Sequence, residues 1–461
     1  MCAIFGIIGS SNAGLLKKMS KCQLYRGPDK QNFFTDKKFK LSMGMNRLSV
    51  IDKKKGNQPM FSHDKRHVIV FNGAIYNFKD LKKHLENKIT FYTNSDTEVL
   101  INSYNYWGKK CFNYFDGMWA VAIYDFKTKT TTLSRDYVGQ KPLFYNQNKD
   151  HLIFSSQING IFQINKNFIF SKKNALEYFR FNHYPSPLTG YDNLFQVSPG
   201  EVLEFKKKKI FKKQYWDIQK GGNYNIFFKK NNSSSISKLF MNIIKNFSIA
   251  DEKVGICLSP GLDSQLIKLR LEKLQKKIKS FTIGFKEKTY DESRYIKSTK
   301  VNKNYKKILH KEDFQLIFNN IKKEIYFPFG DASLIALANA LLILAKSCSD
   351  AVALSWLASH KNTSAFSASD NHTMPSLILR DSGDMIFLAM PFLFALPVLS
   401  YIQPKSAAAN ASRVASVPST PSMAVAYSLA RATISDAAAR TALVLRVAVA
   451  WKSFLIMQDI M

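Results

Sequence analysis

Acidic residues and cysteines are both scarce in this chain. Its 461 residues hold 34 Asp and Glu against 67 Lys and Arg, a formal net charge of +33. Such a balance favours nucleic acid through phosphate neutralisation. The lysines, however, are spread as short runs, such as Lys53-Lys54-Lys55 and Lys206-Lys207-Lys208-Lys209, amid much Asn, Ile, Phe and Tyr. That scatter reads as compositional bias, and no specific nucleic-acid partner is expected. The five cysteines (Cys2, Cys22, Cys111, Cys257, Cys348) include no CxxC pair, and there is no histidine cluster. This argues against a disulfide framework or zinc site and predicts reduced thiols in the cytoplasm. No basic stretch followed by an apolar run opens the chain, so no signal peptide is expected.

Other absences divide the chain along its length. No Glu follows Glu324, and Gly383 is the only glycine after Gly330. Beyond about residue 335 the Lys- and Asn-rich text gives way to Ala, Ser, Leu and Val, as in Ala407-Ala408-Ala409 and Ala437-Ala438-Ala439. Met385 to Pro404 is uncharged and long enough to cross a bilayer. Pro391, Pro397 and Pro404 make a poor spanning helix, so a buried core segment is the expectation and no membrane partner is predicted. Hydrophobic residues are ample at 46%, and the length fits two large α/β domains.

Among the residues that are present, Cys2 in Met1-Cys2-Ala3-Ile4-Phe5-Gly6-Ile7 is the most informative. With Met1 removed, thiol and α-amine share one residue. An α-amine of pKa ~7.7–8 can accept the thiol proton without a distant histidine. Ordered strings follow: Arg26-Gly27-Pro28-Asp29, Arg47-Leu48-Ser49-Val50-Ile51-Asp52, Gly56-Asn57-Gln58-Pro59-Met60, Asn72-Gly73-Ala74-Ile75-Tyr76-Asn77 and Ser95-Asp96-Thr97-Glu98. Asp116-Gly117-Met118-Trp119-Ala120, Arg135 to Leu143, Tyr184-Pro185-Ser186-Pro187, Ser198-Pro199-Gly200 and Tyr215-Trp216-Asp217 complete the set. Together with Cys2 these resemble the N-terminal-nucleophile glutaminase domain of the glutamine-dependent asparagine synthetases, over residues 1–215.

The resemblance implies a four-layer αββα sandwich with Cys2 as nucleophile. It makes Asn72 and Gly73 an oxyanion hole, through a side-chain amide N–H and a backbone N–H that no Cβ shields. It gathers Arg47, Val50, Asn72, Gly73 and Asp96 around glutamine: Arg47 suits the α-carboxylate through a bidentate fork, Asp96 the α-ammonium. Read locally, Asn72-Gly73 between apolar runs is a hairpin-turn signal. Two residues depart from the family pattern. Ala74 stands where a Glu normally helps hold the substrate ammonium, and Ala3 replaces a Gly beside the nucleophile; weaker glutamine binding is expected.

A second region starts at Val254-Gly255-Ile256-Cys257-Leu258-Ser259-Pro260-Gly261-Leu262-Asp263-Ser264. An apolar strand runs into a Ser/Gly turn, with an amphipathic helix predicted through Leu266, Leu269 and Leu274. Strand, turn and helix N-terminus make an anion site. The string resembles the pyrophosphate-binding loop of ATP pyrophosphatases and lacks the Gly-Lys-Ser/Thr ending of a Walker loop. Ser280 to Phe285, Tyr290 to Ser293 and Pro328 to Ser333 follow in the order of a synthetase domain, implying a doubly wound adenine-nucleotide α-hydrolase-like sheet. The resemblance places Leu258 and Ile283 beside adenine, and Ser259, Gly261, Leu262, Asp263 and Ser264 around the phosphates of ATP, with Asp263 carrying Mg2+. Pro260 replaces a glycine of that loop and removes a backbone donor. Val352-Ala353-Leu354-Ser355 echoes a later family strand, but Trp356 stands where its glycine should be, and Met390-Pro391-Phe392-Leu393 is a fainter echo.

The expected organisation is therefore a glutaminase domain at 1–215, a partial synthetase ATP-binding domain at 235–355, and a divergent, unassigned tail at 356–461 that is short for the rest of a synthetase. The family reaction takes ammonia from glutamine to an ATP-activated aspartate carboxylate, giving asparagine, AMP and pyrophosphate. Amidation of another carboxylate, a glutaminase with an inactive synthetase half, and a non-enzyme scaffold are the alternatives. A homodimer is compatible with the resemblance.

Overall fold

The computed structural model describes residues 2–148, 150–217, 233–251, 255–274, 278–286, 288, 291–296, 304–309, 379–381 and 385–387. Continuous apolar runs, rather than alternating ones, mark the central strands. Ala-Ile-Phe-Gly-Ile-Ile forms β1 (Ala3–Ile8) and Gly-Met-Trp-Ala-Val-Ala-Ile-Tyr-Asp forms β6 (Gly117–Asp125), each buried along its whole length. Such strands need cover on both faces.

Two six-stranded antiparallel sheets supply it from one side each. In the first, β2 (Lys30–Asp36) and β3 (Leu41–Arg47) lead into β1, and β9 (Leu152–Ser155), β8 (Phe144–Gln147) and β10 (Leu194–Gln196) lie beyond. In the second, β4 (Met60–Phe61), β5 (His67–Ile75), β6, β7 (Thr130–Arg135), β11 (Glu201–Lys206) and β12 (Lys209–Gln214) run in that order. Between the sheets pack Ile4, Met43, Met45, Val68, Val70, Ala122, Leu133, Phe154 and Leu203. The outer face of the first sheet packs Phe5 and Ile7 on Leu16 and Met19 of α1 (Ala13–Lys21) and Ile161 of α4 (Ile158–Phe162). The outer face of the second packs Ile69, Phe71 and Trp119 on Leu81 of α2 (Phe78–Leu85) and Val99 and Leu100 of α3 (Asp96–Trp107). The four layers are αββα, as expected.

After α5 (Lys172–Phe181) and the last two strands of the sandwich, a second unit begins with α6 (Ser233–Phe247). Here β13 (Ile256–Cys257), β14 (Ser280–Phe285) and β15 (Asn304–Leu309) form a parallel sheet, joined by α7 (Leu262–Leu274). Its core is Ile244, Ile256, Ile267, Leu271 and Ile278. The face of α7 differs from the one predicted. Ile267 and Leu271, one turn apart, are buried; Leu266 is half-buried, Leu269 is 56% exposed and Leu274 also faces outward. Leu269 lies two positions from Ile267, roughly 200° around the helix, so both cannot meet one core.

Leu379–Asp381 and Met385–Phe387 pair as an antiparallel ribbon. The former thus belongs to the expected tail, and the latter opens the uncharged stretch. Pro328 to Ser333, Val352 to Trp356, Met390 to Leu393 and the rest of 356–461 lie outside the described residues. Among the described residues no helix is long and apolar enough to cross a membrane.

Candidate active site

Cys2 sits at the start of β1, half-buried at the edge of the layer between the sheets. The ladder pairs Ala3 with Asn46 of β3, which brings Leu48 beside the sulfur. The Leu48 N–H donates to Cys2 Sγ at 3.4 Å, and the Leu48 carbonyl lies 3.6 Å from it. Arg26 Nε donates to the Cys2 carbonyl at 3.1 Å and fixes the backbone there. Arg26, Arg47 and Lys141 all lie within electrostatic reach of Cys2, so the surroundings of the sulfur are electropositive. Burial, and secondarily Arg26, pulls the Lys141 amine down to about 8.

Asn72 comes from the other sheet. Val68 and Val70 of β5 face the layer between the sheets, whereas Ile69, Phe71 and Ile75 face the helices. By the two-residue period of a strand, Asn72 shares the face of Val68 and Val70, the face on which Cys2 packs. Asn72 is 1% exposed, and its Nδ2 is buried with no hydrogen-bond partner. A buried donor left unpaired costs about 1–3 kcal/mol, and a catalytic role is one of the reasons native structures retain such a group.

The pair Asn72-Gly73 is not a turn. It lies inside the nine-residue strand β5, with Gly73 opposite Trp119 of β6. Burial on both faces overrode the local turn preference. A Cβ on Gly73 would come 2.0 Å from the Met118 carbonyl, so the close strand approach requires glycine. Strand alternation also sets its N–H. The flanking Phe71 and Ile75 N–H groups point away from β6, to Gln58 Oε1 at 2.6 Å and Asp96 Oδ2 at 3.0 Å. Gly73 N–H lies between them on the same open edge.

Asp96 opens α3, is 4% exposed, and is tied through that bond to β5. Burial raises its carboxyl to about 6, against the backbone N–H bonds and Arg47, which pull the other way. Arg47 ends β3, and burial lowers its pKa. Its fork is engaged by the 51–57 loop: Nη1 donates to Lys53 O and Asn57 Oδ1, Nη2 to Ile51 O at 3.0 Å and Asp52 O at 2.7 Å. Gly56 leaves room for this, since a Cβ there would meet Nη2 at 2.5 Å. Val50 is half-buried, and its carbonyl accepts the Asp251 N–H at 3.0 Å. Ala74 packs its methyl near Tyr76, Met118, Ile243 and Phe247. Leu48, Asp52, Gln58 and Arg26 were not singled out from the sequence; their only signal was membership of the ordered strings.

In the second unit Leu258 follows the C-terminal end of β13, and Ile283 lies in the C-terminal half of the adjacent parallel strand β14, toward the usual ligand edge of such sheets. Leu258 is buried and Ile283 half-buried, while Leu262 is 79% exposed. The loop closes on itself. Ser264 Oγ donates to the Ser259 carbonyl at 2.8 Å and accepts the Ser259 N–H, and the Gly261 N–H donates to Ser259 Oγ at 3.3 Å. Asp263, at the N-terminus of α7, is half-buried, and burial raises its carboxyl. Among the described residues no three His, Cys, Asp or Glu side chains converge. One carboxylate fits Mg2+ arriving on nucleotide phosphates, which commonly needs only one or two.

Two antiparallel sheets packed face to face between helices, with Cys2 and the buried Asn72 amide both on the layer between the sheets, have the architecture of a glutamine amidotransferase of the N-terminal-nucleophile class. Residues 1–216 match the family model described as glutamine amidotransferase domain, and 235–342 match the one described as asparagine synthase. A protein of Methanocaldococcus jannaschii, provisionally named glutamine-hydrolyzing asparagine synthetase 2, is 33% identical over 72% of this chain and 70% of its own length. Glutamine-hydrolyzing asparagine synthetase 1 of Bacillus subtilis is 27% identical over 73% of this chain, which spans 55% of that relative's length. The chain belongs to the glutamine-hydrolyzing asparagine synthetase family, whose members are ligases. Among solved structures, the B. subtilis glutamine phosphoribosylpyrophosphate amidotransferase complexed with ADP and GMP overlaps 65% of this chain and 69% of its own, at 16% identity and a TM-score of 0.36.

Proposed function

We propose that this chain hydrolyses glutamine at Cys2 and passes the ammonia to an ATP-activated aspartate carboxylate. The observation that carries the reading is the unpartnered Asn72 Nδ2 on the face that Cys2 shares. With Met1 removed, the Cys2 amine takes the thiol proton and sulfur adds to the carboxamide carbon. Asn72 Nδ2 and Gly73 N–H receive the oxyanion, each donor worth roughly 3–4 kcal/mol. Ammonia leaves, and water clears the thioester to glutamate. Arg47 binds the α-carboxylate by exchanging its Nη2 bonds to Ile51 and Asp52 for the substrate, and Asp96 receives the α-ammonium.

In the second unit Leu258 and Ile283 are the proposed adenine contacts and Ser259, Gly261, Leu262, Asp263 and Ser264 the phosphate contacts. Asp263 would hold Mg2+, which neutralises phosphate charge. The aspartate carboxylate is adenylated with loss of pyrophosphate, and ammonia displaces AMP. The divisions 1–215, 235–355 and 356–461 and a cytoplasmic location, the latter on cysteine usage, belong to the same reading. Pro260 supports a second reading, in which glutamine hydrolysis outpaces a weakened synthesis.

The test is release of glutamate and ammonia from glutamine. The wild-type chain should hydrolyse it, and intact mass should show Met1 missing. Cys2→Ala should abolish hydrolysis and leave ammonium-dependent synthesis in place. Full hydrolysis by Cys2→Ala would overturn the assignment.

A further inference from the structure

Helix α6 belongs to two cores at once. Ile244 packs into the second unit with Ile256 and Ile267, whereas Ile243 and Phe247 pack on Tyr76 and Met118 of the first. The Phe247 and Tyr76 rings meet edge-on with centroids 4.4 Å apart. Four residues past Phe247, Asp251 reaches the turn after Val50. Its N–H donates to the Val50 carbonyl at 3.0 Å, and its Oδ2 accepts the Asp52 N–H at 2.7 Å.

Asp52 is the junction of the glutamine pocket. Its Oδ2 accepts from Asn94 N–H at 2.9 Å, two residues before Asp96, and its carbonyl accepts from Arg47 Nη2 at 2.7 Å. Oδ1 accepts from Lys55 N–H at 2.9 Å and closes the loop. The residue holds a left-handed backbone, φ +46°, which Asp tolerates better than most residues when its side chain hydrogen-bonds nearby, as Oδ1 does to Lys55 N–H. One turn therefore sets the spacing between the cation meant for the α-carboxylate and the carboxylate meant for the α-ammonium. When substrate takes the Arg47 Nη2 bonds, the turn keeps its own Lys55 and Gly56 N–H bonds and those of Arg47 Nη1, while Asn94 and Asp251 tie it to α3 and to the second unit.

We propose that Asp251 is a positioning residue for glutamine, supplied by the second unit to fix the Asp52 turn. This rests on the glutamine-hydrolysing reading of the Cys2 site. Asp251 touches no reacting atom, so its removal should weaken binding of the amino-acid end and spare the reactivity of the thiol.

The test uses the full chain and 6-diazo-5-oxo-L-norleucine, a glutamine analogue that alkylates a thiol with loss of N2. Labelling of Cys2 is followed by intact mass against analogue concentration, with iodoacetamide as a reagent that needs no α-carboxylate or α-ammonium contact. Asp251→Ala should raise the concentration for half-maximal labelling about tenfold, as for one hydrogen bond to a charged group. The maximal rate and the iodoacetamide rate should stay within about twofold. Asp251→Asn, which keeps an acceptor oxygen, should restore wild-type labelling. Asp251→Ser, too short to reach Asp52, repeats the test should the Ala variant not fold. Superposed Ala and wild-type curves, or a fall in maximal rate alone, would overturn the proposal by itself. A wild-type chain that iodoacetamide labels but the analogue does not would remove the glutamine reading and this inference with it.

Discussion

Asn72 holds a donor that folding leaves unpaired, so its replacement separates activity from stability. Asn72→Leu fills similar space without the donor. Hydrolysis should fall by roughly 10²–10³, while the urea midpoint holds or rises, because an unsatisfied buried group is removed. Equal losses of both would mark Asn72 as structural. Asp96 carries a pH signature. Burial raises its carboxyl to about 6, above the ordinary ~3.9 of the unfolded chain. Its native form therefore binds a proton more readily, and its contribution to stability declines as pH rises from about 4 through about 6. Holding an ammonium needs the carboxylate, so catalysis moves oppositely: kcat/KM for glutamine should climb through about pH 6. Asp96→Asn should flatten that limb and raise stability at neutral pH. A limb unchanged in Asp96→Asn would assign the titration to another group.

At the scale of elements, β5 shows what was legible in the sequence and what was not. The apolar runs of β1 and β6 were readable because burial on both faces leaves no polar alternation. The residues of the candidate glutaminase site were named from the ordered strings, although sheet layering followed only from the resemblance. Asn72-Gly73 reads locally as a turn because turn preference is a property of four residues, whereas its strand is imposed by pairing with Trp119, far along the chain. Leucine spacing likewise could not say which side of α7 is covered; that depends on α6 and the parallel sheet. The role of Asp52 was hidden for the same reason, since two of its partners, Asn94 and Asp251, are remote in sequence. Gly73→Ala tests the strand reading. The added methyl meets backbone at 2.0 Å, so it should cost about 1–3 kcal/mol by overpacking and abolish hydrolysis by moving the N–H. An unaltered urea midpoint would mean that β5 gives way freely at this point.

For the whole molecule the question is whether both halves of the proposed reaction run at comparable rates. In the first half the proposed nucleophile and donors belong to one sandwich, on which α6 packs. The second presents its loop with the serine hydroxyls turned inward, Ser264 on Ser259 and the Gly261 N–H on Ser259 Oγ. Pro260 has no N–H to offer beside them. Nucleotide binding must therefore break internal bonds with one donor fewer to replace them. ATP, aspartate and ammonium bypass the glutaminase half, and AMP and pyrophosphate release reports the second half alone. That release should lag well behind glutamine hydrolysis by the same preparation. Pro260→Gly should raise it about tenfold or more, since one donor aimed at developing charge can be worth 10²–10³ in rate. Glutamine hydrolysis measured without ATP should not change in that variant, because Pro260 lies in the loop before α7 rather than in the sandwich. Fast AMP release by the wild type would show that the loop opens without hindrance and that the two halves are matched.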